Sequence, residues 1–227
     1  FVVYDCPIAK QIRAEEHLRL VPAKAVQVEI KVVNSRFIAS LSPASSVEEA
    51  RAFIKEISQT YPDASHHVPA FIIGHGRSLI SHASDAGEPS GTAGQPALRV
   101  LQGSGLGNLV VVVTRYFGGT KLGTGGLARA YADAVKAVLE KTERAVLVHT
   151  QDLAIKLPYT LFEPVSKLAG EYNCKELEKA FAEEVSLSLR IKAEDAEDFL
   201  AQLRDLSRGQ VTAELVGDDP ETPFPYP

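Results

Sequence analysis

The chain has 227 residues, 45% hydrophobic and 23% charged, with a formal net charge of −5, which supplies apolar mass for one large core or two small ones. No apolar run approaches the roughly 18 residues of a membrane-spanning helix, and nothing at the start reads as a secretory leader. The two cysteines, Cys6 and Cys174, make neither a disulfide framework nor a zinc set, so a cytoplasmic location without a membrane partner is expected. The charge is uneven. Residues 1–148 hold 16 Lys and Arg against 13 Asp and Glu, net +3, while residues 149–227 hold 8 against 16, net −8. A polyanion is expected to meet the first part, because the second would repel it.

Residues 1–25 lack clean periodicity and read as an extension that wraps the fold or frays. Val26 to Val33 and Phe37 to Leu41 read as strands joined by a turn near Asn34-Ser35-Arg36. Ser46-Val47-Glu48-Glu49 is a capping box. It opens a helix with Val47, Ala50, Phe53, Ile54 and Ile57 on one face, stopped before Pro62. Strands are predicted over His67–Ile73 and Arg77–Ser81, then a loop over Ser84–Gly94 rich in Gly, Ser, Pro and Thr. Pro96 suits the first turn of a short helix ending at Gly103. Leu109–Thr114 is apolar on both faces, as a central strand requires. From about Gly125 to Lys141 a helix pattern sets Leu127, Ala130, Tyr131, Ala134, Val135, Val138 and Leu139 on one stripe.

A boundary is expected near residues 141–148, closing a first domain over 26–145. Beyond it the pattern reads strand (Leu153–Leu157), helix (Phe162–Tyr172) and strand (Cys174–Phe181). A second strand (Val185–Ile191), helix (Ala193–Ser207) and strand (Val211–Val216) follow. That order is βαββαβ, the ferredoxin-like plan, over residues 149–217. The proline-rich tail, 218–227, is expected to be disordered. The fold class is therefore α+β in two domains.

The run Arg115-Tyr116-Phe117-Gly118-Gly119-Thr120-Lys121-Leu122-Gly123-Thr124-Gly125-Gly126-Leu127 joins the central strand to the long helix. A glycine-rich turn there lets backbone N–H groups converge on a ligand, and the helix end adds partial positive charge. Arg115, Lys121 and Arg129 are in reach to reinforce it. It is neither a Walker A loop nor a completed dinucleotide fingerprint, and it reads equally as a tight turn that packs helix on strand. Arg129, near the helix start, conflicts with the dipole; a bound anion resolves this, and so does Asp133 one turn along.

In Asp85-Ala86-Gly87-Glu88-Pro89-Ser90-Gly91-Thr92-Ala93-Gly94 two carboxylates sit in a framed loop. They suit a metal, acid–base work or the capping of a turn and helix, and capping is the commoner use. His66 and His67 are strand neighbours and face opposite ways, so at most one looks into a site. One histidine near Asp85 and Glu88 would serve in proton transfer; a hydrogen-bonded strand-end histidine is the plainer account. No metal or cofactor is expected, no catalytic set stands out, and no feature fixes an oligomeric state.

Together Ser35-Arg36-Phe37, Ala64-Ser65-His66-His67, the 85–94 loop and the Arg115–Leu127 run resemble the motifs of the YigZ/IMPACT family, over about residues 18–140. Ala86 stands where that family usually has a second aspartate. The resemblance implies a first domain like that of a small-subunit ribosomal protein and domain IV of elongation factor G. It also implies a second domain like that factor's last ones, and relatives in eukaryotes that regulate translation through a protein partner. Three readings follow. In the first, the chain binds RNA, the ribosome or a translation factor, with Arg36, Arg115, Lys121 and Arg129 on phosphates and Tyr116 or Phe117 stacking on a base. Gly118, Gly119, Gly125 and Gly126 would supply the approach, and His66, His67, Asp85, Glu88 and Thr92 an accessory site. A protein-docking module ranks next, and an enzyme acting on a small phosphorylated substrate ranks third.

Overall fold

The computed structural model describes residues 18–76 and 79–225. The chain divides into two compact units between Val146 and Leu147, the second ending at Pro223. No helix among the described residues is long and apolar enough to cross a membrane.

The first unit runs β1 (Leu20–Pro22), β2 (Val26–Val32), β3 (Ser35–Pro43), α1 (Val47–Thr60), β4 (His66–Ile73) and β5 (Ile80–Ala83). It continues with α2 (Gly94–Gly103), β6 (Leu109–Tyr116) and α3 (Gly123–Glu140). Strands β2-β3-β6-β4-β5 form a sheet in that order, every neighbouring pair antiparallel. The all-apolar β6 takes the centre, with Leu109 to Val113 at 0% exposure, as an apolar-on-both-faces strand must. Val111 and Val113 join Phe37, Ala39 and Leu41 beneath α2 and α3. Val110 joins Phe71, Ile73 and the Ala50 side of α1 on the other face. Ser46 caps α1 by accepting from Glu49 N–H, while the Glu49 carboxylate accepts from the N–H and hydroxyl of Ser45.

Several boundaries move. Residues 1–17 of the expected extension, Cys6 included, lie outside the described residues, but Leu20–Pro22 is strand and pairs with Arg144–Val146. The first hairpin turns at Val33-Asn34, with Val33 at φ 56, so Ser35 and Arg36 are strand residues and not turn residues. Of the strand expected over Arg77–Ser81, Arg77 and Ser78 lie outside the described residues, and β5 starts at Ile80.

The second unit is built from the remainder of β7 (Arg144–Leu157), then α4 (Tyr159–Glu171), β8 (Lys175–Phe181) and β9 (Val185–Lys192). Helix α5 (Ala193–Leu206) and β10 (Thr212–Pro225) complete it. The strand order β10-β7-β9-β8 is that of a ferredoxin-like βαββαβ unit. Leu153, Ile155, Leu157, Val185, Leu187, Leu189 and Ile191 alternate inward onto Val165, Leu168, Phe199 and Leu203 of the helices. The tail expected to be disordered from residue 218 is instead strand as far as Pro225; Tyr226 and Pro227 lie outside the described residues. As an edge strand β10 tolerates Pro220 and Pro223, whose missing donors need face no neighbour. Side chains anchor it as well: Thr222 Oγ1 meets Thr150 Oγ1 at 2.7 Å and Asp218 Oδ1 meets His149 Nε2 at 2.8 Å.

Candidate functional site

Sheet register brings the motifs to one end of the first unit. Arg115 on β6 lies opposite Phe37 on β3 and His66 on β4, so three separate sequence motifs form one row across the sheet. Strand alternation turns that row toward α3. There Arg115 Nη1 donates to Glu88 Oε1 at 2.6 Å, and Tyr131 of α3 donates its hydroxyl to the same oxygen at 2.7 Å. The Arg115 and Glu88 side chains are only 6% and 3% exposed. Arg115 Nη2 reaches Ser35 Oγ at 3.4 Å, and its guanidinium sits 5.5 Å from both the Phe37 and Phe117 ring centres. Its Nε, buried, has no hydrogen-bond partner among the described residues. Burial, followed by the Glu88 hydrogen bond, pushes the Tyr131 phenol far up, so it stays a donor.

His66 lines the same place. Its Nδ1 lies 2.9 Å from the Ala86 carbonyl and therefore carries the proton, leaving Nε2 at 3.9 Å from Glu88 Oε1. His67 faces away: its Nδ1 meets Thr114 Oγ1 at 3.1 Å, and burial holds its pKa below the ordinary histidine value.

Above this row opens a cleft of about 550 Å³ lined by Ser65, His66, Glu88, Pro89, Arg115, Phe117, Lys121, Leu122, Gly123, Thr124 and Leu127. Helix α3 begins at its wall with Leu122 at the N-cap and no side-chain cap, so the first-turn amides have no intrahelical acceptor. Lys121, on the loop leading in, completes a positively biased rim. Phe117 is 48% exposed and presents its ring there.

The other expected residues divide. Gly118 serves packing: a Cβ on it would fall 1.9 Å from the Asn34 carbonyl oxygen, so only glycine lets the loop lie on the first hairpin. Gly119 and Gly123 adopt φ 82 and 72 and turn the chain into α3, while Gly125 and Gly126 fall within its first turn. Asp85 is a cap. Its carboxylate accepts from the amides of Gly91, Ala93 and Gly94 at 2.7, 3.0 and 2.8 Å, and Thr92 Oγ1 bonds the Pro89 carbonyl at 2.6 Å. Neither lines the cleft. Arg36 lies on the opposite sheet face, bonded twice to Glu29 at 3.0 and 2.9 Å and 5.1 Å above the Tyr116 ring. The Tyr116 hydroxyl is held by Asp63 at 2.9 Å. Arg129 is exposed in the second turn of α3, so its expected conflict with the helix dipole is largely removed. Tyr131 is the site residue that the helical stripe concealed; a buried tyrosine in such a stripe must find a hydroxyl partner. Among the described residues no three His, Cys, Asp or Glu side chains are grouped to hold a metal ion.

The architecture is that of a two-domain α+β protein whose first domain carries the cleft. The Impact N-terminal domain family matches residues 33–139, and a domain of unknown function, DUF1949, matches residues 155–210. An IMPACT family member of Haemophilus influenzae is 39% identical over 198 residues, covering 87% of this chain and 96% of that protein. The IMPACT family member YigZ of Escherichia coli is 36% identical over 193 residues, covering 85% and 95%. A crystal structure described as that of a hypothetical protein superposes with a TM-score of 0.55 at 35% identity, covering 88% of this chain and 98% of that one. The chain belongs to the IMPACT family.

Proposed function

We propose that this protein is a translation-associated binding protein that engages structured RNA, free or on the ribosome, through the cleft at the start of α3. One observation carries the reading: Lys121, the uncapped amides of α3 and the exposed Phe117 ring open on the same cleft. Cation and amides suit a phosphate, and the ring suits a base. Family membership supports a translation-related role, and the +3 balance of residues 1–148 supports a polyanion.

Geometry narrows the contact set. Arg36 and Tyr116 are engaged with Glu29 and Asp63 on the far face, and the charge of Arg115 is matched by Glu88. Lys121 is the phosphate contact and Phe117 the stacking contact. Binding of a structured RNA hairpin and of purified ribosomes, measured against salt, tests this. Affinity should fall as salt rises, and Lys121→Ala should flatten the log–log slope by about 1. Phe117→Ala should weaken binding by about 1–3 kcal/mol. Binding indifferent to salt and to both substitutions contradicts the reading.

A second reading, catalysis on a small phosphorylated substrate, is favoured by the fixed orientation of His66, which directs Nε2 to proton transfer. A metabolite thermal-shift screen that stabilises the protein, without RNA binding, puts that reading ahead.

A further inference from the structure

We infer that the cleft selects guanine: its floor reads the Watson–Crick edge of an unpaired guanine base. For RNA as the source this rests on the reading above; a free guanine nucleotide offers the same edge.

The floor carries two open acceptors. Glu88 Oε1 is filled, since Arg115 Nη1 and the Tyr131 hydroxyl both donate to it, at 2.6 and 2.7 Å, and a carboxylate oxygen has two lone pairs. Glu88 Oε2 accepts from no group among the described residues. It is not sealed either: among the buried and half-buried side chains described, Arg115 Nε is the one fully enclosed nitrogen or oxygen without a partner. The free oxygen of a side chain only 3% exposed therefore meets the cleft that Glu88 lines. His66 supplies the second acceptor. Its Nδ1–H is committed to the Ala86 carbonyl at 2.9 Å, so Nε2 of the neutral ring can only accept, and it stands 3.9 Å from Oε1 of the same carboxylate.

Two neighbouring acceptors call for two neighbouring donors, because an acceptor pressed against an acceptor loses water from both and makes no bond. Among the four bases only guanine presents such an edge, its ring N1–H beside the N2 amino group. Adenine and cytosine each set one donor beside an acceptor nitrogen, and uracil sets one N–H between two carbonyls. The walls fit a flat ring: Pro89, Phe117, Leu122 and Leu127 line a space of about 550 Å³, and Phe117, 48% exposed, offers its face for stacking. An arginine side chain from a protein has a similar donor fork. Arg115 already neutralises Glu88, however, and Lys121 on the rim repels a second cation. A neutral edge bearing donors, with its phosphate near Lys121, meets no such repulsion.

RNA hairpins that differ in one unpaired loop base, and otherwise lack unpaired guanine, test this by fluorescence anisotropy on the full chain. The base is guanine, inosine, adenine, cytosine or uracil; inosine keeps N1–H and lacks the amino group. GMP, AMP and arginine amide are titrated alongside by calorimetry. The guanine hairpin should bind about tenfold more tightly than those with adenine, cytosine or uracil, with inosine between. His66→Ala should cut the guanine preference about fivefold and leave the adenine hairpin unchanged. If His66→Ala does not fold, the base series on the native chain decides alone.

A guanine preference in the hairpins, reduced in His66→Ala, supports both the inference and the RNA reading. GMP bound about tenfold more tightly than AMP, with no hairpin binding, supports the inference and overturns the RNA reading. All five hairpins bound equally, and weakened by salt, overturn the inference and leave the RNA reading standing. Inosine equal to guanine, a guanine preference unchanged in folded His66→Ala, arginine amide bound more tightly than GMP, or no binding of any probe overturns the inference.

Discussion

Arg115 and Glu88 pair almost out of solvent, so neither can be removed without stranding the other. Arg115→Ala should cost about 3–5 kcal/mol of unfolding free energy. Tyr131→Phe, which removes one donor to Glu88, should cost about 1–2 kcal/mol. Urea titration of both variants checks the ordering. Ala86 sits at φ 47 with its carbonyl holding His66, a backbone region that suits asparagine better than alanine. Ala86→Asn should therefore raise stability by about 0.5–1 kcal/mol, read as a higher melting temperature.

Burial pushes the Asp85 carboxyl up, but the Gly91, Gly94 and Ala93 amides outweigh it and hold its pKa below the ordinary carboxylate value. A folded-state pKa below the unfolded one gives stability that is complete above the unfolded value of about 3.9 and is lost as pH falls through the folded value. Asp85→Asn should lower stability near neutral pH and flatten that acid limb, as a pH series of denaturant titrations would register. The opposing faces of His66 and His67 were legible from strand alternation alone. Which of Asp85 and Glu88 enters the cleft was not, because the choice depends on where the 85–94 loop meets β6 and α3.

At the level of elements, the motif that looked most like a ligand loop has mixed duties. Gly118 lets that loop approach Asn34, so Gly118→Ala should displace it and destabilise the first unit by about 1–3 kcal/mol; thermal unfolding gives the comparison. Element types were readable from periodicity, and the βαββαβ order of the second unit followed from it. The extent of β7 and β10 was not. Ala145 and Leu147 do alternate inward, but neighbouring Lys141, Glu143 and Arg144 mask the pattern. In β10 the prolines argue for a break that an edge strand does not need. The Asp218 and Thr222 anchors are long-range pairs that no local pattern reveals.

For the whole molecule, the uneven charge and the position of the cleft agree: the cation, the free amides and the exposed ring all belong to the net-positive stretch. On the proposed function, negative charge is received at the junction of β6 and α3. Amide NMR of the full chain, titrated with a structured RNA hairpin at low salt, is the decisive measurement. Chemical-shift changes should concentrate on Phe117, Lys121 and Gly123–Gly126 and fade as salt rises. Changes confined to residues 147–223, or absent from 117–126 at saturating RNA, would contradict it.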